Sequence, residues 1–137
     1  MANAVTKCNA RDAVYGNGTW VGQMKYVIAI IQSHRLENVR EALVDVGVEA
    51  LLVVEARRYG AQEEHIEFYR GAEYDVGFMP RIKIEFAVAS DLADKATTAL
   101  RNAAHTGEVG DGRIFVLDLD HSIQIRSGKV DKEVAAL

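Results

Sequence analysis

The chain has 137 residues, of which 49% are hydrophobic and 26% charged, with one proline and one cysteine. This composition is typical of one globular domain and argues against a disordered, fibrous or disulfide-stabilised chain. The net charge of -4 and the lack of any lysine or arginine block argue against nucleic acid as the main partner. No apolar run approaches the roughly 20 residues of a membrane span. We therefore expect a protein that does not insert into a membrane, and the single cysteine, Cys8, fits a reducing cytoplasm.

The first 23 residues do not share the pattern of the rest. They lack the apolar core of a signal peptide and instead contain Gly16, Asn17, Gly18 and Thr19. We interpret residues 1–23 as a flexible N-terminal extension, either a disordered arm or the product of a start codon read too far upstream. A strongly patterned domain is expected over residues 24–128, with a C-terminal tail at residues 129–137.

The first half of the patterned region predicts a strand, a helix and a second strand. Lys25–Gln32 is an apolar run of strand length, suited to burial on both faces. Gly47 is placed to end the helix that follows. The second strand is expected within Glu49–Ala56. The apolar face of the predicted helix consists of Leu36, Val39, Leu43 and Val44.

The second half predicts a strand, a helix and a last strand. Apolar residues alternate with others from Ile82 to Val88, which is the two-residue period of a strand. Ser90 and Asp91 offer an N-cap for a helix, and Ile114–Leu117 is expected to be a strand buried on both faces. The resulting order, β-α-β-β-α-β, predicts an α+β, ferredoxin-like sandwich. The second helix would bury Leu92, Ala96, Leu100 and Ala104.

Two helices can cover only one face of this sheet. In the first strand, Val27, Ala29 and Ile31 alternate with Tyr26, Ile28 and Ile30, so both faces of the strand are apolar. An exposed apolar sheet face is normally covered by another chain. We therefore expect oligomerisation.

Two connections stand out. The 23 residues of Arg57–Met79, here called the long loop, show no helical or strand period, and such a loop is either functional or a plain flexible hairpin. Gly107, Gly110 and Gly112 precede the last strand. They form either a permissive turn or a nest of backbone N–H groups that binds an anion together with Arg113.

Two motifs decide between these alternatives. Tyr69-Arg70-Gly71-Ala72-Glu73-Tyr74 is followed, after 31 residues, by the segment from Thr106 to Phe115, TGEVGDGRIF. These motifs resemble, in order and separation, the large loop and the phosphate loop of the PII signal-transduction proteins. The resemblance implies a homotrimeric, non-enzymatic regulator that binds ATP or ADP in clefts between subunits. It also implies that the long loop contacts a target transporter or enzyme of nitrogen metabolism.

The resemblance further implies the residues of these sites. Gln62 would also be the ligand of Mg²⁺ and 2-oxoglutarate, and Arg58, where the family has no basic residue, is added because it would compensate for missing cations. Tyr74 matches a tyrosine that some members have uridylylated; the alternative is a plain aromatic contact. The expected nucleotide-binding residues are Arg58, Gly60, Gln62, Gly110, Asp111, Gly112, Arg113 and Arg126, and the expected partner-contact residues are Tyr69, Arg70, Gly71, Ala72, Glu73 and Tyr74.

Four positions depart from the family pattern. Ala61, Glu108 and Gln124 stand where the family has basic residues, and Leu52 stands where it has an adenine-binding threonine. These departures favour an alternative: a PII-like adaptor without nucleotide control, or one that senses another small anion such as bicarbonate, in carbon or metal transport. A third hypothesis, a metal-tolerance protein of related trimeric fold, would use histidines. His34, His65, His105 and His121 form no ligand motif.

Overall fold

The computed structural model describes residues 14–15, 19–20, 24–60, 67–69, 72–74 and 77–131. Its main elements confirm the predicted β-α-β-β-α-β order and the α+β, ferredoxin-like fold. They are β1 (Met24–Ile31), α1 (Leu36–Val46), β2 (Leu52–Tyr59), β3 (Phe78–Ala89), α2 (Ser90–Ala104) and β4 (Arg113–Leu119). The smaller elements are a 3₁₀ turn at Ser33–Arg35 and three short antiparallel pairs: Val14–Tyr15 with Thr19–Trp20, Glu67–Tyr69 with Ala72–Tyr74, and Ser122–Ile123 with Val130–Asp131.

The four long strands form one antiparallel sheet in the order β2-β3-β1-β4. Directly opposed residues in such a sheet share a face. Ile28, for example, lies opposite Glu85 on one side and Phe115 on the other. This register divides the side chains of every strand into a set that faces the helices and a set that faces away from them.

The hydrophobic core lies between the sheet and the two helices. Val27, Ala29, Ile31, Ile84 and Phe86 from the sheet are at most 1% exposed. The helices contribute Val39, Leu43, Ala96 and Leu100, each 0% exposed. At one end of this layer, Arg35 donates two hydrogen bonds, of 2.9 and 2.7 Å, to the carbonyl of Ala103 and so ties the 3₁₀ turn to the last turn of α2.

Of the two helix ends predicted from the sequence, one agrees with the structure and one does not. Gly47 has φ +108° and ends α1, as predicted, and Val48 N–H then donates to the carbonyl of Leu43. The cap predicted at Ser90 is wrong, because Ala89 is the N-cap and Ser90 is the first helical residue, with its hydroxyl buried and without a hydrogen-bond partner. The physical reason is that β3 runs directly into α2 without a connecting loop.

Several side chains are more exposed than the sequence predicts, because the helices cover only one face of the sheet. In this single chain, Phe115, Val116 and Leu117 are 46–49% exposed, because β4 is an edge strand, although the sequence predicts burial on both faces. In β1, similarly, full burial is confined largely to the helix-facing residues. Val44, expected on the apolar face of α1, is 53% exposed, and Leu92 is only partly buried. The buried residue in that turn of α2 is Ala93.

The strands extend further into the long loop than predicted. β2 continues to Tyr59 and β3 begins at Phe78, and the rings of these two residues lie 4.8 Å apart. The pairing of β1 with β3 ends at Ile31 and Ile82, so Pro80 pairs only with Arg57. A proline, which lacks an N–H, is tolerated there because no strand lies on its other side. The last residues of β2 and the first of β3 therefore form a two-stranded ribbon beyond the sheet.

Candidate anion-binding site at the glycine loop

The sheet face that the helices leave uncovered, here called the open face, carries both apolar and polar side chains. Ile28, Ile30, Phe115 and Leu117 lie on it, by register. At its centre, the Tyr26 hydroxyl donates a 2.7 Å hydrogen bond to Glu85, and Lys83 Nζ lies 3.2 Å from the other oxygen of that carboxylate. Burial and the bond to Glu85 raise the pKa of Tyr26 to about 12, so the hydroxyl stays a donor.

The loop between α2 and β4, residues 105–112, is here called the glycine loop. Gly107, Gly110 and Gly112 all have positive φ, between +90° and +107°. Gly112 has the strongest requirement for glycine, because a Cβ there would lie 1.8 Å from the carbonyl oxygen of Ile30. The loop backbone is thus held against the end of β1.

Asp111 organises this loop from within. Its carboxylate accepts hydrogen bonds from the backbone N–H groups of Thr106 (2.8 Å) and Gly107 (2.9 Å), from the Thr106 hydroxyl, and from Gln32 Nε2 (3.2 Å). The bonds from Thr106 contribute most to lowering the pKa of Asp111 to about 2. Its carboxylate oxygens are therefore engaged within the loop, while the N–H groups near Gly110 and Gly112 lie on another part of it. Asp111 acts here as a positioning residue.

Asp111→Asn is expected to loosen the glycine loop and to remove its acid transition. Because the pKa of Asp111 is lowered from 3.8 to about 2 in the folded chain, its stabilising contribution is present above about pH 4 and is lost as the pH falls towards 2. In the wild type, the amide resonances of Thr106 and Gly107, followed by NMR during acid titration, should shift together in that pH window. In Asp111→Asn, they should differ from the wild-type positions at all pH values. Asp94→Asn on exposed α2 is the control; equal behaviour of both variants would contradict this role.

Two arginines, Arg81 and Arg113, lie at the glycine loop on the open face, and Arg58 lies near Arg81. Arg113 lies opposite Ile30 in the register of β1 and β4. A Cβ built on Gly110 would lie 3.1 Å from Arg81 Nη2, which places that guanidinium beside the loop. Arg58 lies close to Arg81. The pKa of Arg81 is lowered mainly by its burial and also by the positive charge of Arg58. The base of the long loop and the glycine loop thus meet at one cationic corner of the open face.

Sequence reasoning missed Arg81. The signal was present, because Arg81 and Lys83 alternate with Ile82 and Ile84, which face the core, and must therefore face away from it. That Arg81 reaches the glycine loop could not be predicted, because it depends on the loop folding back over the end of β1.

The remaining predicted nucleotide-binding residues are Gly60, Arg126 and Gln62. Gly60 lies at the base of the long loop, where the guanidinium of Arg58 lies 3.0 Å from the position of a Cβ. Arg126 lies in the turn of the C-terminal hairpin, is exposed, and makes no hydrogen bond or ion pair with the rest of the described chain. In the same turn, Gln124 Oε1 accepts a 3.0 Å bond from Ser127.

The predicted partner-contact residues are only partly described. Tyr69 ends one short strand and Ala72, Glu73 and Tyr74 form its antiparallel partner. Gln62, Ala61, Arg70 and Gly71 lie outside the described residues. The roles predicted for all of these residues stay predictions.

Within the described ranges, no helix is both long and apolar enough to cross a membrane. The same part of the chain has no group of three His, Cys, Asp or Glu side chains that could hold a metal ion. The metal-tolerance hypothesis therefore gains no support from the described residues.

Known proteins resemble this chain over the whole ferredoxin-like region. The family profile "Nitrogen regulatory protein P-II" matches residues 24–129. Nitrogen regulatory protein P-II of Rhizobium etli is 51% identical over 110 residues, which cover 80% of this chain and 98% of that protein. Nitrogen regulatory protein GlnK of Escherichia coli K12 is 47% identical over 109 residues, covering 80% and 97% respectively.

Structural comparison agrees with these matches. The crystal structure of Arabidopsis thaliana PII bound to citrate superposes with a TM-score of 0.64 at 28% identity, covering 81% of this chain and 91% of that one. The identities, their coverage and the common fold confirm the resemblance predicted from the two motifs. The chain therefore belongs to the P-II family of nitrogen regulatory proteins, which are non-enzymatic signal-transduction proteins.

Proposed function

We propose that this chain is a cytoplasmic, homotrimeric sensor that binds ATP or ADP and regulates a transporter or enzyme of nitrogen metabolism through the long loop. The cationic corner at Arg58, Arg81 and Arg113 is the observation that carries this proposal. Backbone N–H groups of a glycine-rich turn beside several guanidiniums suit the oxygens of a phosphate chain. Gln62 would hold Mg²⁺ together with the nucleotide phosphates, and 2-oxoglutarate would bind to that metal.

The trimer is supported by surfaces that a single chain leaves exposed. On the edge strand β2, Leu52 and Val54 of the open face are 46% and 40% exposed, and the C-terminal hairpin presents Ile125 with 100% exposure. A hydrophobic surface of this kind suits burial against identical copies. Arg126, next to Ile125, would then reach the cationic corner of a neighbouring subunit and complete the site there.

Signalling would follow from the position of the site at the base of the long loop. A bound nucleotide shifts the loop towards a conformation only to the extent that it contacts that conformation better than others. Arg58 belongs to β2 and Arg81 to β3, on the two strands that carry the loop. A phosphate bound between them would therefore bias the loop that meets the target at Tyr69–Tyr74.

Isothermal titration with ATP and ADP, with and without Mg²⁺ and 2-oxoglutarate, together with the solution mass, tests this function. Arg113→Ala is expected to weaken both nucleotides by roughly 10- to 100-fold, because a hydrogen bond to a charged group contributes about 1.5–3 kcal/mol. Arg40→Ala, on the surface of α1, is the control and should bind as the wild type does. Unchanged affinity in Arg113→Ala would remove that residue from the site.

A second candidate is a P-II adaptor that binds its target without nucleotide control. It is favoured by Glu108, an exposed acid on the glycine loop, and by Gln124, whose side chain takes part in the hairpin turn. A trimer that binds neither ATP nor ADP would favour this candidate. Titration with bicarbonate then separates a plain adaptor from a sensor of another small anion.

A further inference from the structure

A groove lies at the end of the sheet where β1 begins. It has a volume of about 330 Å³ and lies between the residues that follow α1 and the junction of β3 with α2. Its apolar wall includes Val48 and Val88, each 3% exposed, and the partly buried Leu92. This volume is at the lower end of the range of about 300–1,000 Å³ for pockets that enclose small molecules. The groove therefore has room for a few side chains of a peptide segment.

The rim of this groove is acidic. Glu49 and Asp91 line it and are exposed, and no lysine or arginine of the described chain lines it. Neither carboxylate forms an ion pair within that part of the chain. Because a cleft lined by charges of one sign attracts the opposite sign, this rim suits a segment that is partly apolar and carries a net positive charge.

The N-terminal extension has this composition. It carries two basic residues, Lys7 and Arg11, against one acidic residue, Asp12, which gives its side chains a net charge of +1. It also contains Tyr15 and the only tryptophan of the chain, Trp20. The family match begins at residue 24, so the extension lies outside the region that this chain shares with the P-II proteins.

The extension joins the sheet beside the groove. Met24 pairs with Ala89 of β3, which also lines the groove, and paired strands lie about 4.8 Å apart. Three residues link Trp20 to Met24, and a chain of that length spans at most roughly 14 Å. Ser90, directly after Ala89, has a buried hydroxyl without a partner in the described chain, which is unfavourable until a neighbouring group supplies one. The extension is therefore within reach of both the groove and this hydroxyl.

We propose that the N-terminal extension docks in this groove of its own subunit, with its aromatic residues against the apolar wall and its basic residues at the acidic rim. The strands Val14–Tyr15 and Thr19–Trp20 pair antiparallel, and so short a hairpin is not stable alone in water. Burial of its aromatic rings stabilises the docked form, and the short link to β1 keeps the hairpin at a high effective concentration. The extension is then an ordered part of the subunit rather than a flexible arm. This inference goes beyond the proposed function and does not depend on nucleotide binding.

The fluorescence of Trp20 in the full 137-residue chain tests the docking. In the folded wild type, emission should lie at a shorter wavelength than in the urea-unfolded chain, and acrylamide should quench it less. Glu49→Lys and Leu92→Ala should each shift both values towards those of the unfolded chain, because the first reverses a charge of the rim and the second removes part of the apolar wall. Glu41→Lys is the matched control for Glu49→Lys, since Glu41 is an exposed acid on α1 that does not line the groove.

A comparison of NMR spectra locates the extension on the subunit. The amide resonances of Val48 and Leu92 should differ between the full chain and a chain that begins at Met24, whereas that of Gly110 in the glycine loop should not. The shorter chain retains the region that matches the Rhizobium etli protein over 98% of its length.

Two results would overturn the docking. In the first, acrylamide quenches Trp20 equally in the folded and the unfolded wild type. In the second, Trp20 is protected but neither groove variant changes its emission, and the resonances that respond to truncation lie on another surface such as the open face. Neither result bears on the binding of ATP or ADP, which the titration of the wild type tests separately. Urea unfolding measured by circular dichroism shows that each variant is folded under the conditions used.

Discussion

Replacing Gly112 by alanine should disrupt the glycine loop more than any other single methyl group added to it. The new Cβ would lie 1.8 Å from the carbonyl oxygen of Ile30, and the residue would keep a φ of +107°. The left-handed conformation alone disfavours alanine by about 1–3 kcal/mol, and overlap with backbone atoms adds about 1–3 kcal/mol. We expect the midpoint of thermal unfolding to fall by about 8–24 °C, since each kcal/mol shifts it by roughly 4 °C in a domain of this size.

The matched control is Gly107→Ala in the same loop. Gly107 has a φ of +90°, but its nearest neighbour, His105 Cε1, lies 3.9 Å from the position of a Cβ. This variant should show the conformational penalty alone and fall by about half as much or less. Differential scanning calorimetry on both variants makes the comparison. If the two variants unfold at the same temperature, the close approach of Gly112 to β1 does not constrain the loop.

Phe86→Ala should destabilise the domain by about 3–5 kcal/mol, the usual effect of removing a fully buried phenylalanine. Phe86 is 0% exposed and packs in the core between the sheet and the two helices, so removing its ring leaves a cavity there. Urea unfolding measured by circular dichroism gives the free energy of unfolding directly.

Phe115→Ala removes the same ring from the opposite face of the sheet. Phe115 is 46% exposed in the single chain. Removing its ring should therefore lower the free energy of unfolding of the monomer much less than Phe86→Ala does. If the open face is covered by identical copies, Phe115→Ala should instead lower the solution mass at low protein concentration, measured by light scattering. A Phe86→Ala variant as stable as the wild type would contradict the assignment of the core.

The fold could be predicted from the sequence because each main element has a strong local pattern. The alternation from Ile82 to Val88 and the glycine at position 47 are determined by residues close in the chain. Burial of β4 could not be predicted, because it depends on the position of that strand at the sheet edge and on what covers the open face. The Ser90 cap failed for a similar reason, since the continuity of β3 and α2 is a tertiary feature.

Only part of the candidate site, the glycine loop with Arg113, could be predicted from the sequence. The glycine loop and Arg113 are adjacent in sequence and form a motif, so their association needs no knowledge of the fold. Arg81 reaches that loop, and Arg58 lies near Arg81, only because β2, β3 and β1 are neighbours in the sheet. The internal role of Asp111 was also hidden, because a carboxylate in a phosphate-binding motif gives no sign that its oxygens accept bonds from Thr106 and Gly107.

The two-stranded ribbon beyond the sheet marks the boundary between residues that the fold requires and residues that substitution can change. The pairing of β3 with β1 ends at Ile82, and Pro80 pairs only with Arg57 of β2. The ribbon residues Arg57, Tyr59 and Phe78 are exposed and lie outside the core, so substitutions there are tolerated more readily than in the sheet. Under the proposed function, a chain of this design acquires a new target by altering the long loop while its fold remains the same.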